Sequence, residues 1–312
     1  MLDLKLIIYS KRINMIIPEK LKIGDKIAII STARKITIEE LNPAIKTLES
    51  WGLNVVLGIN LLQEDDQFSG TVEQRTADLQ IMIDDNSIKA VLCAKGGYGT
   101  VQIIDFINFT NLKNNSKWFV GYSDVTVLHS QLNNLGIASI HATMPINFDS
   151  NTKESLSSLK KSLFGNLNSI EFKAHPFNKL GKINGVIVGG NLSILYSLLG
   201  SQSNINTKGK ILFIEDLDEY LYHIDRMMMN LKRNGMLSTL KGLIVGGMSD
   251  MNDNHIPFGK TAEIIILEHT KDYDYPVCFG FPAGHLSDNR GIRFGVNSVL
   301  EIEKNSVILI QE

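Results

Sequence analysis

The sequence predicts an α/β protein, with a Rossmann-like parallel-sheet N-terminal domain followed by a second α/β domain richer in β-structure. Short, wholly apolar runs that end in glycine or small polar residues alternate with stretches of helical period. That alternation is the pattern of βα units around a mostly parallel sheet. At 312 residues the chain exceeds one ordinary core and suggests two domains. After about residue 181 the alternation continues, but the strand-like runs take a larger share and close the chain.

In order, Lys22 to Ala33 reads as a turn and a fully buried strand, and Ile36 to Trp51 as a helix with Glu39 and Glu40 near its start and Gly52 as its stop. Asn54-Val-Val-Leu is a second strand. A capping-box spacing, Thr71…Gln74, opens a helix running to Asp84. Ala90-Val-Leu-Cys-Ala94 is a third strand and leads into Lys95-Gly-Gly-Tyr-Gly-Thr100. The next helix is expected over Val101–Phe109 and the next strand at Trp118–Val120. That strand ends at Gly121, and Ser123 opens the helix-like run that follows. Ala138 to His141 is another strand end.

From Asp149 to about Lys179 Asn, Ser and Lys dominate, with one short amphipathic helix at Glu154–Leu163. Beyond it come a strand at Gly185–Asn191 with a helix at Leu192–Leu199, and a strand at Lys210–Glu215 with a helix from about Tyr220 to Arg233. A strand at Gly242–Gly247, a helix at Thr261–His269, a strand from Val277, and short β runs over Val296–Ile310 complete the pattern. The expected division is an extension over 1–14, a first α/β domain over 15–150, a connection over 151–180 and a C-terminal domain over 181–312.

The totals exclude several classes. With 44% hydrophobic and 21% charged residues the chain is globular. A net charge of −2 argues against nucleic acid and anionic membrane surfaces as partners. The two cysteines, Cys93 and Cys278, both lie in apolar strand-like runs and read as buried thiols. No Cys/His spacing resembles a zinc site. The N-terminal run Leu4–Tyr9 is too short for a secretory core and is interrupted by Lys5. No run approaches transmembrane length, so a cytoplasmic protein is expected.

In parallel sheets, sites lie at the carboxyl ends of strands. The Gly96-Gly97 loop and Ser123 both fall there. Strand, glycine-assisted turn, serine and helix is the layout of a nucleophile elbow, although Gly-Tyr-Ser-Asp-Val lacks the usual second glycine. The competing reading of Ser123 is a helix cap. A nucleophilic serine needs a base and an orienting acid. Of seven histidines, His129 faces away from the elbow by helical geometry. His175, His255 and His269 lack special context, and His223 lies within a helix. His141 and His285 stand at strand ends, His285 in a loop with freedom to reach across a cleft. Glu215 ends an apolar run, where an unpaired charge would be costly. An ion pair with Arg226 explains it equally well. The Gly96-Gly97 loop could cradle a phosphate or supply an oxyanion amide.

Taken together, the chain from about Ile16 resembles the serine LD-carboxypeptidases, which include muramoyl-tetrapeptide carboxypeptidases and microcin-immunity hydrolases. The resemblance rests on Ile16-Ile-Pro with Leu21-Lys-Ile-Gly-Asp25, Gly70…Arg75-Thr-Ala-Asp-Leu79, Lys95-Gly-Gly-Tyr-Gly99 and Gly121-Tyr-Ser-Asp124. It continues through Gly189-Gly-Asn-Leu192, Phe213-Ile-Glu-Asp216, Tyr222…Asp225-Arg226, Gly242…Gly246-Gly and Gly280-Phe…Gly284-His285. Two positions depart from the family pattern. Lys95 replaces the arginine that usually starts the glycine loop, and Ile292-Arg293-Phe294-Gly295 replaces an apolar Leu-Pro-x-Gly segment.

The resemblance implies a triad of Ser123 as nucleophile, His285 as base and then acid, and Glu215 as its orienting partner, in a cleft between the domains. It implies oxyanion donors at the amide of Asp124 and in the Gly96-Gly97 loop, most plausibly Gly97. The implied reaction releases terminal D-alanine from a peptidoglycan tetrapeptide for cytoplasmic cell-wall recycling, by a homodimer without metal or cofactor. Alternatives are hydrolysis of peptidyl- or aminoacyl-nucleotide amides and a non-catalytic cell-wall-fragment binder.

Overall fold

A computed structural model describes residues 15–311. The predicted extension over 1–14 lies outside the described residues. In chain order the first half holds β1 (Lys26–Ile30), α1 (Ile38–Ser50), β2 (Asn54–Leu57), α2 (Val72–Asp84), β3 (Ile88–Cys93), α3 (Thr100–Ile103), β4 (Trp118–Gly121), α4 (Thr126–Asn134) and β5 (Ser139–His141). The span expected to connect the domains holds α5 (Lys153–Phe164) and β6 (Asn168–Lys173). Then follow β7 (Gly181–Asn191), α6 (Leu192–Ser197), β8 (Ile211–Leu217), α7 (Leu221–Arg233), β9 (Gly242–Ser249), α8 (Ala262–Thr270), β10 (Val277–Cys278), β11 (Ile292–Phe294), β12 (Asn297–Ile302) and β13 (Ser306–Gln311).

The capping box at α2 forms as the spacing predicts. Thr71 Oγ1 accepts from the Gln74 amide at 3.3 Å, and Gln74 Oε1 accepts from the Thr71 amide at 2.9 Å. The helix expected over 101–109 is shorter: α3 ends at Ile103 and a 3-10 turn covers Ile104–Phe106. No side chain caps α3, and the Asn108 amide donates instead to Gln80 Oε1 at 2.8 Å.

The six-stranded first sheet has the order β11-β5-β4-β3-β1-β2. Its β1 to β5 neighbours run parallel. The seven-stranded second sheet has the order β10-β9-β8-β7-β12-β13-β6. It is parallel from β10 to β7 and antiparallel from β7 to β6. The first sheet is buried on both faces, which is why its strands read as unbroken apolar runs. Ile27 and Ile29 join one core layer with Leu41 and Leu48 of α1, while Ala28 and Ile30 join the other with Leu79 and Ile83 of α2. Each such Ile or Leu contributes roughly 1.5–3 kcal/mol by leaving water. Likewise Leu212 and Ile214 of β8 face α7 and α8, while Ile211 and Phe213 face the layer shared with β11 and β12.

One strand crosses between the halves. β11, late in the chain, pairs antiparallel with β5, with Ile292 opposite His141 and Phe294 opposite Ser139. Arg293, within β11, is buried against the end of α5. Its guanidinium donates to the carbonyls of Ser162, Lys161 and Asn166 at 3.2, 3.0 and 3.2 Å and satisfies the end of α5. Cys93 and Cys278 are free, buried thiols, as predicted, and burial pushes the Cys93 thiol up to about 12.

Candidate active site

Four strand ends converge. β4 ends at Gly121 and turns into Ser123. β3 ends at Cys93 and delivers the Lys95–Gly99 loop. β8 carries Glu215 and Asp216 near its carboxyl end, and the loop after β10 carries His285. Ser123, Gly96, Gly97 and His285 line one cleft of about 510 Å³, together with Tyr122 and Asp216.

Ser123 sits in the left-handed region, φ +61°, which a non-glycine residue adopts at a cost of order 1 kcal/mol or more. It is not a helix cap. The residue preceding its 3-10 turn is Tyr122, and no side chain caps that turn or α4. Behind the bend, His129 lies fully buried. A carbonyl can only accept, so its Nε2–H donates to Gly121 O at 2.9 Å, and Nδ1 accepts from the Ser139 hydroxyl at 2.9 Å. Burial pushes His129 down to about 4, so it is a neutral strut. In front of Ser123, a Cβ added to Gly96 would lie 3.1 Å from Ser123 Cβ and 3.2 Å from its Oγ. The loop therefore passes within contact of the hydroxyl.

Asp124 contributes its backbone to the bend and its side chain to the neighbouring loop. The carboxylate is buried and accepts from the Thr100 amide at 2.8 Å, tying the start of α3 to the elbow. Burial raises this carboxyl despite those bonds. The Gly97 N–H donates to no backbone carbonyl among the described residues.

Across the cleft, His285 Nδ1 donates to Glu215 Oε2 at 2.7 Å, and the His285 backbone N–H donates to the same oxygen at 3.2 Å. Glu215 is fully buried. This close approach needs glycine at 284, where φ is +104° and a Cβ would come within 2.6 Å of Glu215 Oε2. The Ser249 hydroxyl donates to the His285 carbonyl at 2.8 Å and fixes the loop. Burial works against a charged His285, but the hydrogen bond and charge of Glu215, with Asp216 behind it, outweigh burial and raise the imidazole above its ordinary value. Because Nδ1 holds the shared proton, Nε2 keeps its lone pair for the cleft. The Tyr122 ring stands edge-on to His285 at 4.9 Å, with its hydroxyl donating to Asn147 Oδ1 at 3.0 Å. Asp216 is raised to about 7 by burial and by Glu215, and it accepts from Asn191 Nδ2 and the Ser193 amide at 2.8 and 2.9 Å.

The competing reading of Glu215 fails. Arg226 lies over the Tyr222 ring at 5.1 Å and lines a separate groove along α7 of about 670 Å³. That groove is roomier but holds neither serine nor histidine. The other strand-end histidine, His141, is buried among Phe213 and Phe294 at 4.9 and 5.5 Å, and burial drives it well below its ordinary value. His223 and His269 bond to Glu219 and Asp225. Among the described residues no group of three or more His, Cys, Asp or Glu could hold a metal ion, and no helix is long and apolar enough to cross a membrane.

Sequence reasoning missed Tyr122, Asp216, Asn191 and Arg34 as cleft residues. Arg34 follows the end of β1, so the strand-end rule that marked Ser123 also marks it.

Comparison with known proteins gives the same fold. Residues 27–142 match the LD-carboxypeptidase N-terminal domain and residues 184–300 the LD-carboxypeptidase C-terminal domain. The chain belongs to the LD-carboxypeptidase family. It is therefore a serine-type carboxypeptidase, a hydrolase. The chain is 35% identical over 303 residues to a probable murein peptide carboxypeptidase of Bacillus subtilis, covering 93% of each chain. It is 28% identical to a murein tetrapeptide carboxypeptidase of Pseudomonas aeruginosa, covering 89% of this chain and 94% of that one. Among solved LD-carboxypeptidase structures, the muramoyltetrapeptide carboxypeptidase of Oxalobacter formigenes superposes with a TM-score of 0.83 at 25% identity, covering 92% of this chain and 98% of that one. MccF in complex with glutamyl sulfamoyl guanosine superposes with a TM-score of 0.83 at 20% identity, over 95% and 98% of the two chains, and shares the fold.

Proposed function

We propose that this LD-carboxypeptidase releases the terminal D-alanine of murein tetrapeptides through an acyl-enzyme on Ser123. The observation that carries the reading is the buried Glu215 carboxylate bonded at 2.7 Å to His285, in a cleft that Ser123 also lines. Relatives named for murein peptides, one of them 35% identical, supply the substrate class.

Ser123 Oγ attacks the scissile carbonyl while His285 Nε2 takes its proton. Glu215 holds the Nδ1–H and stabilises the imidazolium that forms. The amides of Asp124 and Gly97, beside Gly96, receive the oxyanion, where fixed dipoles serve better than water. Collapse expels the amine of D-alanine, which takes the proton from His285 and leaves an ester on Ser123. Water, deprotonated by His285, then cleaves that ester. The same reading places the enzyme in the cytoplasm, recycling cell-wall fragments as a homodimer, and light scattering of the purified chain checks the dimer.

Incubation with a murein tetrapeptide should give tripeptide and D-alanine, with Ser123→Ala slower by about 10⁴-fold or more. Release unaffected by that substitution would overturn the triad. Tight binding without release points instead to a binder of wall fragments. Turnover of an aminoacyl sulfamoyl nucleotide alone points to the microcin-immunity reaction.

A further inference from the structure

A carboxypeptidase must tell a chain terminus from the interior of a chain, and the mark of a terminus is its free carboxylate. The triad cannot read that mark, because all of its groups act on the scissile amide. A cation near Ser123 is suited to do so.

The cleft has a charged polarity. Arg34 and Lys95 line the wall built by the first sheet, while Asp216 and Asp218 line the facing wall. A carboxylate would be repelled from the acidic side and drawn to the basic one. The two cations are not equivalent. Lys95 is engaged by Glu40, Nζ to Oε1 3.4 Å. Arg34 is exposed and has no acidic partner within 4 Å among the described residues. Three other arginines are fully employed: Arg75 donates to the carbonyls of Gly70, Thr32 and Gly99, Arg290 pairs with Asp288, and Arg293 caps α5. Arg226 and Arg233 have no acidic partner among the described residues either, but they line the separate groove along α7 and not the cleft of Ser123.

The position of Arg34 is built into the backbone. Its side chain lies across Gly97, so closely that a Cβ there would meet Arg34 Cδ and Nε at 2.5 Å. Gly97 also has φ +109°, a conformation that side chains rarely adopt. The adjacent residue, Gly96, touches Ser123. One glycine loop thus separates the hydroxyl from the guanidinium. A terminal carboxylate carbon lies roughly 3–4 Å beyond the scissile carbonyl carbon by standard bond geometry, so a fork beyond the glycine loop is placed to meet it. Arginine matches a carboxylate with two parallel N–H donors.

We propose that Arg34 is the receptor for the α-carboxylate of the leaving residue, with Lys95 adding charge but not the fork. This makes Arg34 a specificity-determining residue, and it rests on the carboxypeptidase reading above. Gly97 then serves twice, offering its amide to the oxyanion and its missing side chain to the arginine.

The test compares two substrates: a murein tetrapeptide ending in free D-alanine, and the same peptide ending in D-alaninamide. The wild-type enzyme should prefer the free acid by about 100-fold in kcat/KM, the scale of a charge-assisted pair. Arg34→Ala should lose about that factor on the acid and little on the amide, so that the preference collapses. Arg34→Lys should keep part of it, and added guanidinium ion should restore part of it to Arg34→Ala. Thermal melting of each variant separates folding from recognition. If wild type turns over the tetrapeptide but Arg34→Ala loses equally on both substrates, or keeps the preference, Arg34 is not the receptor and the functional reading stands. Collapse with Lys95→Ala and not with Arg34→Ala would also overturn the assignment. If wild type releases alanine from neither substrate, the functional reading fails and this inference fails with it.

Discussion

On the wall of the cleft built by the first sheet, Ser123 is held through the backbone. Its φ of +61° fixes where the hydroxyl emerges, His129 braces the carbonyl of Gly121 from behind, and Gly96 presses from the front. On the opposite wall His285 sits in a loop, and one carboxylate orients it. Glu215 Oε2 takes both the ring N–H and the backbone N–H of His285. A position held by backbone torsion is distributed over many bonds, whereas a position held by one buried carboxylate has a single point of failure. The first wall should degrade gradually on mutation and the second abruptly.

Glu215→Gln tests the abrupt wall and carries the largest expected effect. The amide keeps the shape but not the charge, so kcat/KM should fall by about 10²–10⁴-fold. The pH profile gives the sign. The base must be neutral, and Glu215 raises His285, so wild-type activity should fall off as pH drops from a midpoint above the ordinary histidine value of about 6.5. Loss of the Glu215 charge should move that midpoint to lower pH. A midpoint that stays put would show that Asp216, not Glu215, raises the imidazole.

Gly96→Ala comes next. The new methyl would meet Ser123 Cβ at 3.1 Å, Oγ at 3.2 Å and the flexible end of Met144 at 3.2 Å. Steady-state kinetics should show a loss of about 10–100-fold, since a displacement well under 1 Å spoils attack geometry, with little change in melting temperature. A loss as deep as that of Glu215→Gln would mean that the serine wall is no more tolerant than the histidine wall.

His129→Leu should have the smallest effect on rate. Gly121 O keeps its bond from the Ala142 amide at 3.1 Å, but the Ser139 hydroxyl loses its acceptor inside the core. Denaturant unfolding should show a loss of about 1–3 kcal/mol, with activity reduced only a few-fold. A collapse of activity without loss of stability would make His129 part of the chemistry and erase the contrast between the walls.

The same contrast explains what could be read from the chain beforehand. The strands of the first sheet, the glycine loop and Ser123 were legible because buried parallel strands are unbroken apolar runs and the residues that end them stand out. Glu215 was legible for the same reason. The choice between His141 and His285 was not, because it depends on a contact of long sequence separation. β11 carries Phe294 back onto β5 and helps bury His141, and nothing local to residue 141 announces that. The side chain of Asp124 was equally silent, since its acceptor role depends on where Thr100 arrives. Arg34 lies just past the end of β1, where the strand-end rule marks it, but its role is readable only from the crossing of its stem over Gly97. The departure at Arg293 also became interpretable only through space, as an end cap for α5.

The placement of β11 bears on how the enzyme comes into being. Its three residues, Ile292–Phe294, complete the edge of a sheet whose other strands are all made before residue 142. During synthesis the first sheet therefore waits, with β5 as an open edge, until nearly the whole chain has emerged. Pairing across such a separation is slow to form, and an open edge invites foreign strands in the meantime. His285 lies only a few residues before β11, so one late event closes the edge and brings the imidazole into the cleft that Ser123 lines. On the proposed mechanism, a nascent chain holds Ser123 early but lacks the imidazole that would activate it, and hydrolytic competence arrives together with the last seal on the sheet.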